Sequence, residues 1–165
     1  MVDATTGVLA YTIKDPGFDW RGWSMNTAPV LGGSRNVLAI QGYRLLSFDL
    51  ANQRVGWSLK ASFMGSVTVA DGVLYVFNSG KVEARAESDG ALLWTWGPPE
   101  GLPQGTTLVT DNLLFVSTAS NTYAVDLTTG MHVWTYPAGG YLAMGKDGIL
   151  FIARSNGSVA AIAVK

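Results

Sequence analysis

One histidine, His132, and twelve acidic residues are the groups of this 165-residue chain with the chemistry to move protons or hold a metal. His132 sits between Met131 and Val133 with no acid or nucleophile placed beside it. A histidine in that setting is more often structural than a general base. The acids fall mostly in turns, at Asp3, Asp49, Asp71, Asp89, Asp111, Asp126 and Asp147, and none of them cluster at metal-ligand spacing. Cysteine is absent, which excludes disulfides, thiolate metal sites and Cys nucleophiles. Ser and Thr are plentiful without a nucleophile elbow, and the Gly-containing stretches beside Arg44 and Lys81 lack phosphate-loop spacing. The Asn156-Gly157-Ser158 triplet matches a glycosylation acceptor, and a turn between strands explains it better. The expectation is a chain with no catalytic residue, no metal and no cofactor.

Recognition chemistry is better represented than catalysis. The stretch "DPGFDWRGWSMN", residues 15–26, carries Trp20, Arg21 and Trp23 in a connection longer than its counterparts at 60–65, 97–105 and 137–140. Exposed Trp and Arg are enriched at interaction hot spots. Two roles are open for the tryptophans: plugging a central channel or packing between blades, or forming an aromatic and cationic platform for a peptide or sugar. The other connections add Phe63, Trp96, Glu100 and Tyr136 to the partner-binding expectation. A net charge of −1 gives no reason to expect nucleic acid, and no apolar run is long enough to span a membrane.

These residues must be held by something, and the chain repeats. Taking Ala124 as position one of "AVDLTTGMHVW", Asp126 is position three, Gly130 position seven and Trp134 position eleven. Further copies place Asp49 and Trp57, then Gly90 and Trp94, then Asp3, Gly7 and Tyr11 in the same positions. A truncated copy is read from Ala160. A second signature precedes them in phase, with turn residues at Asn36, Gly72, Asn112 and Gly148. Each unit reads as four strands: a short apolar stretch, a hairpin turn, a near-continuous apolar strand such as 73–77, an alternating strand such as 82–86, and a strand ending near the Trp. No helical periodicity intervenes. Four antiparallel strands recurring at about 40 residues predict a β-propeller. The blades are expected at about 27–60, 66–97, 106–137 and 141–165, with an additional strand at 7–13.

The A-x-D-x-x-T-G-x-x-x-W phrase, met in full by Ala124, Asp126, Thr129, Gly130 and Trp134, resembles the tryptophan-docking motif of quinoprotein (PQQ-like) propellers. Other copies depart from it: Ala86 stands for Asp, Gln53 for Gly and Tyr11 for Trp. The resemblance covers nearly the whole chain. It implies an all-β propeller, usually of about eight blades, and lies closer to non-enzymatic BamB-like members than to the PQQ dehydrogenases. It also implies an extracytoplasmic setting. A vicinal disulfide belongs to the dehydrogenase pattern, and the absence of Cys departs from it. The resemblance thus implies a non-catalytic scaffold binding a protein or peptide through rim loops, the alternative being an inactive half of a PQQ-dependent dehydrogenase.

Physically the phrase reads as a clasp. The Trp can lie over the next blade, the Gly permits a left-handed turn residue, and the Asp can accept backbone N–H bonds within the turn. Charged residues are only 14% of the chain, as expected of short strands and tight turns. The last unit lacks a fourth strand and 7–13 has no sheet of its own, which leaves three expectations: one chain closes a ring of four blades, two copies form a homodimer completing a ring of eight, or the chain is an excised half of a longer propeller.

Overall fold

The computed structural model describes residues 1–18 and 27–164. The repeated turn chemistry folds into four antiparallel sheets with no helix among the described residues. The first holds β1 (Val30–Leu31), β2 (Asn36–Gln41), β3 (Arg44–Asp49) and β4 (Arg54–Lys60). The second holds β5 (Phe63–Ala70), β6 (Val73–Asn78), β7 (Lys81–Ala86) and β8 (Leu92–Trp96). The third holds β9 (Gln104–Val109), β10 (Leu113–Ser117), β11 (Thr122–Asp126) and β12 (His132–Tyr136). The fourth has three strands, β13 (Tyr141–Met144), β14 (Ile149–Ala153) and β15 (Val159–Ala163).

Each sheet is a meander, because every connection within it is a short turn. Asp71 and Gly72 (φ 48° and 75°), like Ser79 and Gly80 (φ 50° and 77°), adopt the paired left-handed conformation that matches strand twist. The near-continuous apolar runs become β2, β6 and β10, and β6 and β10 are buried because a sheet covers each face. Leu38, Ile40 and Leu45 pack with Phe63, Val67, Leu74 and Val76 between the first and second sheets. Tyr75, Phe77 and Val82 meet Leu114, Val116 and Val125 between the second and third. Phe115 and Ala124 meet Leu150 and Ile152 between the third and fourth. The core is therefore a series of slabs between stacked sheets, as blades require.

Inner strands neighbour one another in order, β1 and β2 against β5, β5 against β9, and β9 against β13. Thr68 Oγ1 donates to the Thr107 carbonyl at 3.1 Å, and Thr107 Oγ1 donates to Thr68 Oγ1 at 2.8 Å, which ties β5 to β9. The sheets form an arc that does not close into a ring, consistent with half a propeller.

Two expectations need correction. Residues 7–13 form no strand; Val2 and Leu9 make a single antiparallel bridge, and the segment folds back on itself through the Asp3 turn. In the last unit Ile149 pairs Ala163 and Phe151 pairs Ala161, where the third sheet pairs Leu113 with Asp126 and Phe115 with Ala124. Position one is therefore Ala161, not Ala160. The stretch "VAAIAVK" has no Asp to mark the phase, so its small apolar residues fit either register.

Candidate functional site

The turns between third and fourth strands repeat in atomic detail. Asp126 Oδ1 accepts the backbone N–H groups of Thr128 and Thr129 at 3.1 and 2.8 Å. Asp49 Oδ1 accepts those of Ala51 and Asn52, and Asp3 Oδ1 those of Thr5 and Thr6. Such bonds favour the ionised carboxylate. The Thr129 backbone N–H first, then its hydroxyl, holds the Asp126 pKa below the ordinary value of 3.8. The Asn52 side chain does this first for Asp49, and the Thr6 backbone N–H for Asp3. These carboxylates are engaged by their own turns.

Beyond each turn a bulge recurs, with Ala124 opposite Trp134 but Val125 opposite His132, and likewise after Ala84 and after Ser47. The extra residue re-aims the strand, and the position-eleven side chain leans on the following sheet. Trp57 Nε1 donates to the Glu87 carbonyl at 3.0 Å, and Trp94 Nε1 to the Leu127 carbonyl at 2.9 Å. Tyr11 reaches the Leu50 carbonyl through its hydroxyl at 3.4 Å. Leu50, Glu87 and Leu127 all occupy position four. Gly130 (φ 66°) lies flat on Trp94, where a Cβ would come within 2.8 Å of the indole, and Gly90 lies on Trp57 in the same way. Glycine is required there twice over, by conformation and by contact.

Trp134 differs. Its indole N–H has no hydrogen bond among the described residues, and no turn lies over it. A cavity of about 250 Å³ opens between Phe115, Trp134, Ile162 and Val164.

The antiparallel topology gathers the turns between second and third strands, together with the connections leaving the fourth strands, at one end of the sheets. The exposed large side chains of this rim include Tyr43 at 58%, Leu102 at 71% and Tyr141 at 76%. Its backbone is well tied. Gln104 Nε2 donates to the Thr118 carbonyl, Thr122 Oγ1 to the Ala138 carbonyl, and the Gly140 N–H to Ser117 Oγ. Arg44 anchors the start of the long connection, pairing with Asp15 Oδ2 at 2.6 Å and donating to the Gly17 carbonyl and Ser58 Oγ.

Trp20, Arg21 and Trp23 lie outside the described residues. Phe63, expected on the rim, is 1% exposed and belongs to the core between the first two sheets; it begins β5 instead of ending a loop. Trp96 is half-buried, 5.3 Å from the Tyr123 ring and stacked on His132 at 6.3 Å. His132 Nε2 lies 2.7 Å from Thr135 Oγ1. Tyr136 is half-buried and stacks on Trp134 at 5.9 Å, and Glu100 is exposed on the rim. Trp96 and Tyr136 are thus packed while Glu100 is free to solvent. Tyr43, Leu102 and Tyr141 were missed by sequence reasoning; the signal was a large apolar residue in or beside a Gly- or Pro-containing turn.

Among the described residues, no group of three or more His, Asp or Glu converges on a point where a metal would sit, and no helix is long and apolar enough to cross a membrane. The family model described as outer membrane protein assembly factor BamB matches residues 2–96. No curated protein sequence matches the chain. BamB from Moraxella catarrhalis is similar in structure, with a TM-score of 0.70 at 17% identity over 86% of this chain and 49% of that one. The chain thus spans about half the length of that protein. The computationally designed Ika4 protein is similar with a TM-score of 0.72 at 11% identity, over 96% of this chain and 100% of that one.

Proposed function

The chain belongs to the family described as outer membrane protein assembly factor BamB, and from that premise we propose that it is a non-catalytic scaffold module that binds a protein or peptide through its rim. The observation that carries this reading is the division of labour among side chains. Asp3, Asp49 and Asp126 are engaged by backbone N–H groups of their own turns. The Trp57 and Trp94 side chains are engaged in joints between sheets. Tyr43, Leu102 and Tyr141 are among the large apolar groups left in solvent on a hydrogen-bonded rim. Rigid aromatic anchors beside a polar backbone suit an extended segment, because the anchors lose little conformational entropy on binding. Glu100 is exposed on the same rim, and we propose from the sequence that Trp20, Arg21 and Trp23 of the stretch 15–26 extend the surface.

The test is a peptide-display selection against the chain. Binders selected on the unmodified protein lose at least about tenfold in affinity when Tyr43, Leu102 and Tyr141 are changed to Ser together, with an unchanged melting temperature. Binders indifferent to that change contradict the reading. Dye reduction on adding PQQ, Ca²⁺ and an alcohol or sugar would favour the dehydrogenase-half alternative.

A further inference from the structure

The arc has one joint without its cover and one cover without its joint. Trp134 stands on the third sheet as far along its strand as Trp57 and Trp94 do on theirs, yet among the described residues no turn or fourth strand of the fourth sheet seats a glycine on it. Gly7 is that glycine. Its φ of 70° matches Gly90 (76°) and Gly130 (66°), but a Cβ built on it would meet nothing within 4 Å. We propose that a second copy of this chain supplies the cover: residues 6–13 of one copy add as the fourth strand to β15 of the other, with Gly7 seated on the partner's Trp134. The inference does not depend on what the rim binds.

The register is fixed by the complete sheets. There the position-one residue opposes position eleven, and Thr122 and Tyr123 oppose Tyr136 and Thr135. With Ala161 at position one, the same offsets set Tyr11 opposite Ala161, Thr12 opposite Ala160, Ile13 opposite Val159 and Leu9 opposite Ile162. The incoming strand covers exposed Val159 and brings its own exposed Val8 and Leu9. It also closes the mouth of the cavity beside Trp134.

Tyr11 explains why the segment joins two copies. Its hydroxyl is already held by the Leu50 carbonyl of its own first sheet, in the manner of Trp57 and Trp94 on theirs. A strand fixed there and paired with a partner's β15 joins the partner's fourth sheet to this chain's first. The exchange is reciprocal, so two arcs close on a two-fold axis. Met1–Ala4 and Ala161–Val164 carry the same motif positions, so the exchange displaces Met1–Thr5 and opens the single Val2–Leu9 bridge.

Light scattering and sedimentation over a concentration series test this. The expected species has twice the 17.5 kDa chain mass. The chain has no Cys, so Thr12→Cys with Ala160→Cys, oxidised, gives a disulfide-linked pair and no background. Gly7→Asn tolerates the left-handed turn but sets a side chain against the partner's Trp134, and weakens the pair by at least about tenfold with the fold of the single chain intact. Removing Met1–Thr5, which competes with β15, strengthens it. A monomer at every concentration, a cross-link within one chain, open-ended polymers, or a pair indifferent to Gly7→Asn would each overturn the proposal.

Discussion

The joint between the second and third sheets and the joint between the third and fourth use the same residue types and differ in completeness. At the first, the Trp94 indole N–H is paired with the Leu127 carbonyl and Gly130 lies on the ring. At the second, Trp134 has the equivalent place, stacks on Tyr136 and meets Phe115 edge-to-face, and among the described residues has neither an acceptor nor a covering turn. The difference shows that the indole alone does not make the joint. A latch consists of the ring, a position-four carbonyl that receives its N–H, and a flat residue that lies on its face; two of the three come from the neighbouring sheet's turn.

The largest test of that comparison is truncation of the two rings. Trp94→Ala removes a ring packed against Tyr75 and Leu127 and leaves a carbonyl without its donor, for a loss of about 3 kcal/mol in denaturant unfolding. Trp134→Ala, measured in dilute solution, costs about 1 kcal/mol, because part of the site is already empty. Equal losses would break the comparison. A smaller separation is expected at the glycines. Gly130→Val strains a residue at φ 66° and pushes the Trp94 ring aside, for about 2–4 kcal/mol, whereas Gly7→Val in dilute solution pays only the conformational strain of about 1 kcal/mol.

The smallest effect is acidic. Asp126 and Asp3 cap equivalent turns, each with a carboxyl pKa lowered below 3.8 by N–H donors. A lowered folded value means the stabilisation is fully present above the unfolded value and is lost as pH falls through the folded one. The melting temperature therefore drops slightly below about pH 4, and Asp126→Asn flattens that drop more than Asp3→Asn, because the Asp126 turn covers a joint.

The repeat was legible because its residues act locally. Asp-Gly hairpins, the Asp cap and the position-seven glycine each impose their conformation within four or five residues, so sequence revealed four sheets and their order. What escaped depends on distant partners. The acceptors of the position-eleven donors, the indole N–H groups at Glu87 and Leu127 and the Tyr11 hydroxyl at Leu50, are backbone carbonyls whose side chains carry no common mark. Glu87 is 2% exposed and accepts the Ser34 N–H from the first sheet, a burial nothing in "ARAESDG" announces. Phe63 looked like a loop residue because its neighbours Ser62 and Gly65 are turn formers, yet the first sheet's core draws it inside. Residues 7–13 have the pattern of a strand, but a strand needs a partner, and the chain's own fourth sheet is not beside them.

Hydrogen exchange of the three indole N–H groups, followed by NMR over a range of protein concentrations, tests the latch most directly. Trp57 and Trp94 are expected to be protected at every concentration. Trp134 is expected to exchange rapidly when dilute and to become protected as a second copy covers it. Rapid exchange at Trp57 and Trp94, or equal protection of all three in dilute solution, would contradict the account.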